Sequence, residues 1–188
     1  MSDRASVETQ VIDAFKTCHE RVDVVEFLSE LALPDCWAAA GIVRNTVWDV
    51  LHGRSTWTVL HDVDIAYFDV DDISASRDRE IEKRLAKKFP RLLFSAKNQA
   101  RMHLRNKHSP YVDSLDAIRH WTETCTAVGI SFHDGDWEIL APCGLDDLLK
   151  LIVRPTLYNS HYVDLVLSRT RQKRWLETWP MLRLWNMS

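Results

Sequence analysis

Several features are scarce in this chain of 188 residues. It has only 5 glycines and 6 prolines, and no low-complexity tract, which argues against long disordered segments. None of its 4 cysteines, at positions 18, 36, 125 and 143, forms a Cys-x-x-Cys pair. His103 and His108 do not match a zinc spacing either, so no zinc site is expected. No apolar run approaches the length of a membrane span, and residues 1–8 are polar, without the apolar stretch of a secretory signal. The expectation is a cytoplasmic protein with no membrane partner, its thiols free and mostly buried. A basic excess is also lacking. The formal net charge of -3 gives no sign of a general nucleic-acid binder and leaves only a local basic groove open.

Apolar residues are plentiful at 46%, with 8 tryptophans among them, enough for a packed core. The length suits one domain over residues 1–188. Within it we expect a helical N-terminal segment (1–34), a central core (35–153) and a basic, aromatic C-terminal segment (154–188).

Ser6 is placed to cap a first helix. Val7, Val11, Phe15, Cys18, Val22, Val25, Leu28 and Leu31 then recur at three- and four-residue spacing. They predict one long amphipathic helix, or two broken near 21–23, ending before Pro34. A short apolar strand is expected at 36–40 and a helix after Gly41, with Gly53 as its C-cap. Val63, Ile65, Tyr67 and Phe68 give strand character. A helix capped by Asp72 or Ser74 follows over 75–89. Residues 92–94 begin another strand, which leads into a polar edge or a short helix. Ser114 is expected to cap a helix over 115–121, residues 123–132 are β-rich, and Asp134-Gly135 is a hairpin signal before a strand at 137–140. A short helix is expected over 145–153. The pattern is that of an α+β, mixed α/β fold.

The stretch 37–69 carries the chemistry. Asp62 and Asp64 open the strand that follows Leu60. Strand residues two apart point to one side, about 7 Å apart at their Cα atoms. Two carboxylates so placed repel each other unless a cation lies between them, and magnesium is the natural occupant. Upstream, Gly41 marks a strand–glycine–helix turn, where free N–H groups and the helix dipole favour phosphate. Arg44, one turn on, is suited to grip a polyphosphate through its planar fork. A nucleoside triphosphate needs these parts together, with two metals placed for in-line displacement.

These residues resemble the nucleotidyltransferase-like group of the DNA polymerase β-like nucleotidyltransferase superfamily. Gly41-Ile-Val-Arg44-Asn45, the helix ending Leu51-His52-Gly53-Arg54, and Asp62-Val-Asp64-Ile are similar to the head of the tRNA CCA-adding enzymes. The fuller match, with Lys97-Asn98-Gln99-Ala100-Arg101, Gly144-Leu145-Asp146-Asp147 and Trp175-x-x-x-Trp179-Pro180, looks like a bacterial group of nucleotidyltransferase-like proteins. The resemblance implies a mixed β-sheet flanked by helices and a two-metal magnesium site on Asp62 and Asp64. It implies nucleotide contacts from Gly41, Arg44, Asn45, Lys97, Asn98 and Arg101. It also requires a third carboxylate, for which Glu123 is the candidate, with Asp116 behind it. Two departures stand out. Ala40 occupies the place of a second glycine or serine beside Gly41, and the chain is too short for the helical domains with which CCA-adding enzymes hold tRNA.

Transfer of a nucleoside monophosphate from a nucleoside triphosphate to an acceptor (protein, small molecule or RNA) is one reading. A non-catalytic nucleotide- or partner-binding protein on the same fold is the other. A metal-dependent glycosyltransferase or a nuclease would also use paired acids, but neither needs the glycine turn. The C-terminal segment interleaves Arg169, Arg171, Lys173, Arg174 and Arg183 with Tyr158, Tyr162, Trp175, Trp179 and Trp185. It is either a packing segment with water-facing charges or a nucleic-acid surface.

Overall fold

The computed structural model describes residues 2–157 and 162–185. Among these, the chain opens with α1 (Ser2–Lys16) and α2 (His19–Glu30). The break falls at 17–18, not at 21–23. Thr17 donates its hydroxyl to the Ala14 carbonyl at 2.6 Å, and the Cys18 carbonyl accepts from the N–H groups of Arg21 and Val22 to start the next helix. Strand β1 (Trp37–Ala39) and helix α3 (Gly41–Leu51) follow, then β2 (Val63–Tyr67), α4 (Ala75–Lys88), β3 (Phe94–Asn98) and α5 (Gln99–Asn106). Next come α6 (Ser114–Ile118), the hairpin β4 (Gly129–His133) and β5 (Asp136–Leu140), and α7 (Asp146–Leu149). The described chain ends with β6 (Ile152–Val153), α8 (Tyr162–Gln172), α9 (Trp175–Thr178) and β7 (Arg183–Leu184). No helix among the described residues is long and apolar enough to cross a membrane.

Several boundaries differ from the sequence pattern for local reasons. Asp113, not Ser114, caps α6 by accepting from Asp116 N at 2.6 Å, while Ser114 turns its hydroxyl to the Asp35 carbonyl. The β-rich run after Glu123 forms a strand only from Gly129, because residues 123–128 turn back on themselves through Thr126 and Ala127 N–H bonds to the Glu123 carbonyl. The helix expected over 145–153 stops at Leu149, and Leu151 (φ 58°) swings the chain into β6, which pairs with β7.

The main sheet has five strands in the order β3-β2-β1-β4-β5, mixed in direction: β2 and β3 are parallel, the other pairs antiparallel. Its two faces differ. Ala38, Val63, Ile65, Tyr67 and Ile130 face a large core shared with α1 to α4 and with Trp175 and Trp179. Ala39, Ala66 and Ala127 face the other way, under Ile118 and Trp121. Small side chains keep that second floor low and leave room for a cleft. Gly129 belongs to the same economy of space, since a Cβ there would come within 3.0 Å of the Trp37 Cβ.

The register sets the acids. Asp64 pairs with Ala39 on one side and Ser95 on the other, and Asp62 precedes the strand. Ala39 runs directly into the turn at Ala40, which leads into α3, so the start of α3 stands beside the acid pair. The turn is strained at Ala40, not at Gly41. Ala40 has φ 56° and ψ -114°, a left-handed conformation that costs an L-residue about 1–2 kcal/mol. An Ala40→Gly variant should therefore be more stable. After the extra unfolded-state freedom of glycine is subtracted, the gain should be about 0.5–1 kcal/mol by urea denaturation. A loss of stability would show that the Ala40 methyl contributes more through packing than its backbone costs.

Candidate active site

Two chambers meet at Asp62 and Asp64. The inner one, about 110 Å³, lies against the start of α3 and is lined by Gly41, Arg44 and Asn45. The outer one, about 430 Å³, opens toward α5 and the segment after α6. Ala40, Asp62, Asp64, Thr126, Arg169 and Lys173 line both.

At the junction Asp62 is exposed and Asp64 half-buried. Burial, and then the neighbouring charge of Asp62, push the Asp64 carboxyl up to about 6, against the pull of Arg44, Lys173 and Arg169. A half-buried carboxylate beside a second one is a donor set that a hard divalent cation fits, because the cation removes both the repulsion and the desolvation penalty. A third acid does not join them: among the described residues, no group of three or more His, Cys, Asp or Glu side chains is gathered closely enough to hold a metal ion.

Glu123 nevertheless lines the outer chamber. It sits in the turn before β4, not at a strand edge, and is fully buried. Its Oε1 accepts from Arg169 Nε at 2.5 Å, and its Oε2 has no hydrogen-bond partner. Asp116, the acid placed behind it by sequence, lines neither chamber. It accepts from Val112 N and faces Arg119 instead.

Arg44 is the buried cation of the inner chamber. Its guanidinium lies 5.1 Å from the Trp48 ring centre and 4.4 Å from that of Trp175. Nη1 donates to Thr126 Oγ1 at 2.8 Å and Nη2 to Asn45 Oδ1 at 2.9 Å, while Nε has no partner. Burial lowers its pKa, and no described carboxylate forms an ion pair with it. No side chain caps the start of α3, and Ala40 and Gly41 at that start line the same space. A Cβ on Gly41 would meet Arg44 and Asn45 only at ordinary contact distance, 3.8 and 4.0 Å. Its absence therefore adds room above those two side chains.

The other expected contacts divide. Lys97 lines the outer chamber while donating to Glu82 at 3.2 Å. Asn98 and Arg101 do not reach either chamber. The buried Asn98 side chain ties the loop after β2 through the Asp69 and Asp72 carbonyls and the Asp69 N–H, and also caps α5. Arg101 pairs with the buried Asp78, which also accepts from the Tyr67 hydroxyl and the Asn98 N–H. Strand alternation turns Asn98 to the sheet face opposite Lys97, while Arg101, in α5, is drawn away by Asp78 and the Ile73 carbonyl.

Sequence reasoning missed Arg169 and Lys173 as site residues. Their i, i+4 spacing, which puts both on one helix side, was the available signal. The tryptophans interleaved with them turn inward. Trp175 and Trp179 are buried and meet Trp48 edge-on at 5.7 and 5.1 Å. Packing therefore accounts for them, and Trp185 is half-buried. Tyr158 and the side chain of Tyr162 lie outside the described residues.

A family model described as "Nucleotidyltransferase" matches residues 26–184. Among solved structures, one determined by NMR and described as revealing a CCA-adding enzyme head domain is 34% identical, with a TM-score of 0.80, covering 94% of this chain and 95% of that one. A CCA-adding enzyme in complex with CTP (16% identity, TM-score 0.55) covers 94% of this chain, and the chain spans 42% of that enzyme's length. The Thermotoga maritima CCA-adding enzyme complexed with tRNA (19%, 0.51) covers 87%, and the chain spans 38% of it. These last two share the fold. No protein of curated function matches the chain.

Proposed function

Because the chain belongs to the nucleotidyltransferase family, we propose that it transfers a nucleoside monophosphate from a nucleoside triphosphate to an acceptor, with magnesium, releasing pyrophosphate. The observation that carries this reading is the place of the acid pair, on a small chamber that Arg44, Arg169, Lys173 and the start of α3 also line.

In this reading the β- and γ-phosphates enter the inner chamber. The start of α3 offers N–H groups, Arg44 offers its unpaired charge, and Lys173 and Arg169 neutralise the pyrophosphate as it leaves. Arg44 rests against the Trp48 and Trp175 rings and donates to Thr126 and Asn45, so its fork is held before the substrate arrives. Asp62 and Asp64 would hold the magnesium, which supplies charge neutralisation at the α-phosphate. Glu123, which lines the outer chamber and whose buried Oε2 has no hydrogen-bond partner, would be the carboxylate that receives a proton from the acceptor hydroxyl.

One observation favours a second reading. Glu123 is already paired with Arg169, and no third acid stands within metal-holding reach of the aspartates. A nucleotide-binding protein without catalysis would look the same. The two readings separate in one assay: magnesium with an α-labelled triphosphate and cell extract, scored for both label transfer and pyrophosphate release. Transfer supports the enzyme. Triphosphate binding with no pyrophosphate release at any acceptor concentration supports the binding protein.

Arg44→Met tests the inner chamber on its own. Methionine keeps apolar contact with the indoles but carries no charge. Triphosphate affinity, read by calorimetry with magnesium, should fall by at least about tenfold, the equivalent of one charge-assisted hydrogen bond. Unchanged affinity would move the phosphates out of this chamber.

A further inference from the structure

We propose, resting on the nucleotidyl transfer reading above, that the outer chamber is the acceptor site and that the acceptor is a small hydroxyl compound with an anionic group and a flat ring, the chemistry of a mononucleotide. Direction comes first. In an in-line displacement the attacking and leaving oxygens lie on opposite sides of the phosphorus. With the leaving pyrophosphate in the inner chamber and the α-phosphate at the aspartates, the attacking hydroxyl must arrive from the outer chamber. In that step the acceptor oxygen forms a bond to the α-phosphorus, and the bond from that phosphorus to the β-bridging oxygen breaks. The hydroxyl proton passes to Glu123 Oε2, and the electron pair leaves with pyrophosphate.

The walls then set the chemistry. Among the described residues, the only carboxylates lining the outer chamber are Asp62, Asp64 and Glu123, which the reaction uses, while Lys97, Arg105, Arg169 and Lys173 disfavour a polycationic acceptor. Arg105 stands at its mouth, exposed, with no described carboxylate paired to it, and offers its fork to a phosphate or carboxylate. Two flat groups face the same space, the half-buried Trp121 indole and His120. His120 is held in place by stacking on Tyr111, with centroids 5.4 Å apart and planes 26° apart, and by His108 at 4.7 Å. Burial and His108 keep its pKa below the ordinary value, so at pH 7 it is a neutral plane with ring nitrogens.

Size and surroundings favour a small molecule over a polynucleotide. The chamber is a cleft of about 430 Å³, and Trp175 and Trp179 of the basic C-terminal segment are buried, so among the described residues these two rings are not offered beside the chamber to stack successive bases.

The test uses the full chain, magnesium and whichever triphosphate raises its melting temperature most, in its non-hydrolysable α,β-methylene form. Calorimetry then follows AMP, adenosine, spermidine and a short oligoribonucleotide. AMP should bind at least tenfold tighter than adenosine, spermidine should not bind, and AMP and the triphosphate should bind together. Arg105→Ala should remove most of the preference for AMP over adenosine, and Arg105→Lys should restore part of it, with triphosphate affinity read separately. Tighter binding of the oligoribonucleotide than of AMP overturns the proposal in favour of an RNA end. So does equal binding of AMP and adenosine, or displacement of the triphosphate by AMP. If the parent chain shows no triphosphate shift at all, the nucleotidyl transfer reading itself falls. If the shift is present without discrimination among the four probes, only the acceptor assignment falls.

Discussion

A chain carrying both Asp62→Asn and Asp64→Asn is expected to lose nucleotidyl transfer by about three orders of magnitude or more, yet to be more stable than the parent at pH 7 in the absence of metal. The first half follows from removing the groups that would hold magnesium, whose stabilisation of transition-state charge amounts to several kcal/mol at about 1.4 kcal/mol per tenfold. The second half follows from the cost of the acid pair. Asp64 has a folded-state pKa of about 6, raised from 3.8 by burial and by Asp62. The folded state therefore holds that proton more tightly than the unfolded chain does. The benefit is complete below pH 3.8 and is lost as pH rises through about 6. At pH 7 an ionised Asp64 costs the fold on the order of 1–3 kcal/mol after allowance for its partial exposure.

Melting temperature against pH checks this directly. Between pH 4 and pH 7 the parent should lose stability relative to the double variant. Magnesium should raise the melting temperature of the parent and leave that of the variant where it was. The parent's affinity for magnesium should climb as pH rises through about 6, because the metal displaces the Asp64 proton. A large fall in the variant's melting temperature at pH 7 would instead make the two acids props of the fold.

The acid pair and the turn before α3 were legible because each depends on local order: two aspartates in strand alternation, and a glycine between a short apolar run and an amphipathic helix. The mixture of helices and strands followed from the same alternation of periods, and the mixed sheet with flanking helices from the resemblance to nucleotidyltransferases. What distance along the chain separates was not legible. Arg169 reaches Glu123 across 46 positions, and no spacing rule connects a C-terminal helix to a turn before β4. Asn98 and Arg101 carry polar side chains in a stretch beside the cleft, and pattern alone could not tell a phosphate contact from a loop tie. The direction of Asn98 depends on which residues of β3 face the cleft, which the parallel pairing with β2 decides, and that of Arg101 on the distant Asp78. The strain at Ala40 was hidden for the opposite reason: alanine does not advertise a left-handed backbone as glycine does.

Asp49 is a further case of a residue whose weight only the folded chain reveals, and Asp49→Ala is expected to cost about 3–5 kcal/mol, the range for stripping the partner from a buried charge. Asp49 lies in the last turn of α3 and is fully buried. Its carboxylate accepts from the Thr58 N–H at 2.8 Å, the Thr58 hydroxyl at 2.6 Å and the Trp179 indole N–H at 2.8 Å. It also faces Arg21 at 4.0 Å and Arg54 at 3.6 Å. One side chain thus joins α2, α3, the segment leading to the acid pair and the C-terminal segment. Alanine would leave Arg21, itself buried and bound to Thr46 and the Thr58 carbonyl, without its opposite charge. Combining Asp49→Ala with Arg21→Met should cost less than the sum of the two single changes, because the orphaned charge goes with its partner. Thr58 and Trp179 both line the inner chamber, so triphosphate affinity should fall together with stability in Asp49→Ala. Urea denaturation of the three variants, paired with triphosphate titration, reads both effects. Strictly additive stability losses, with affinity unchanged, would mean that Asp49 neither neutralises Arg21 nor shapes the chamber.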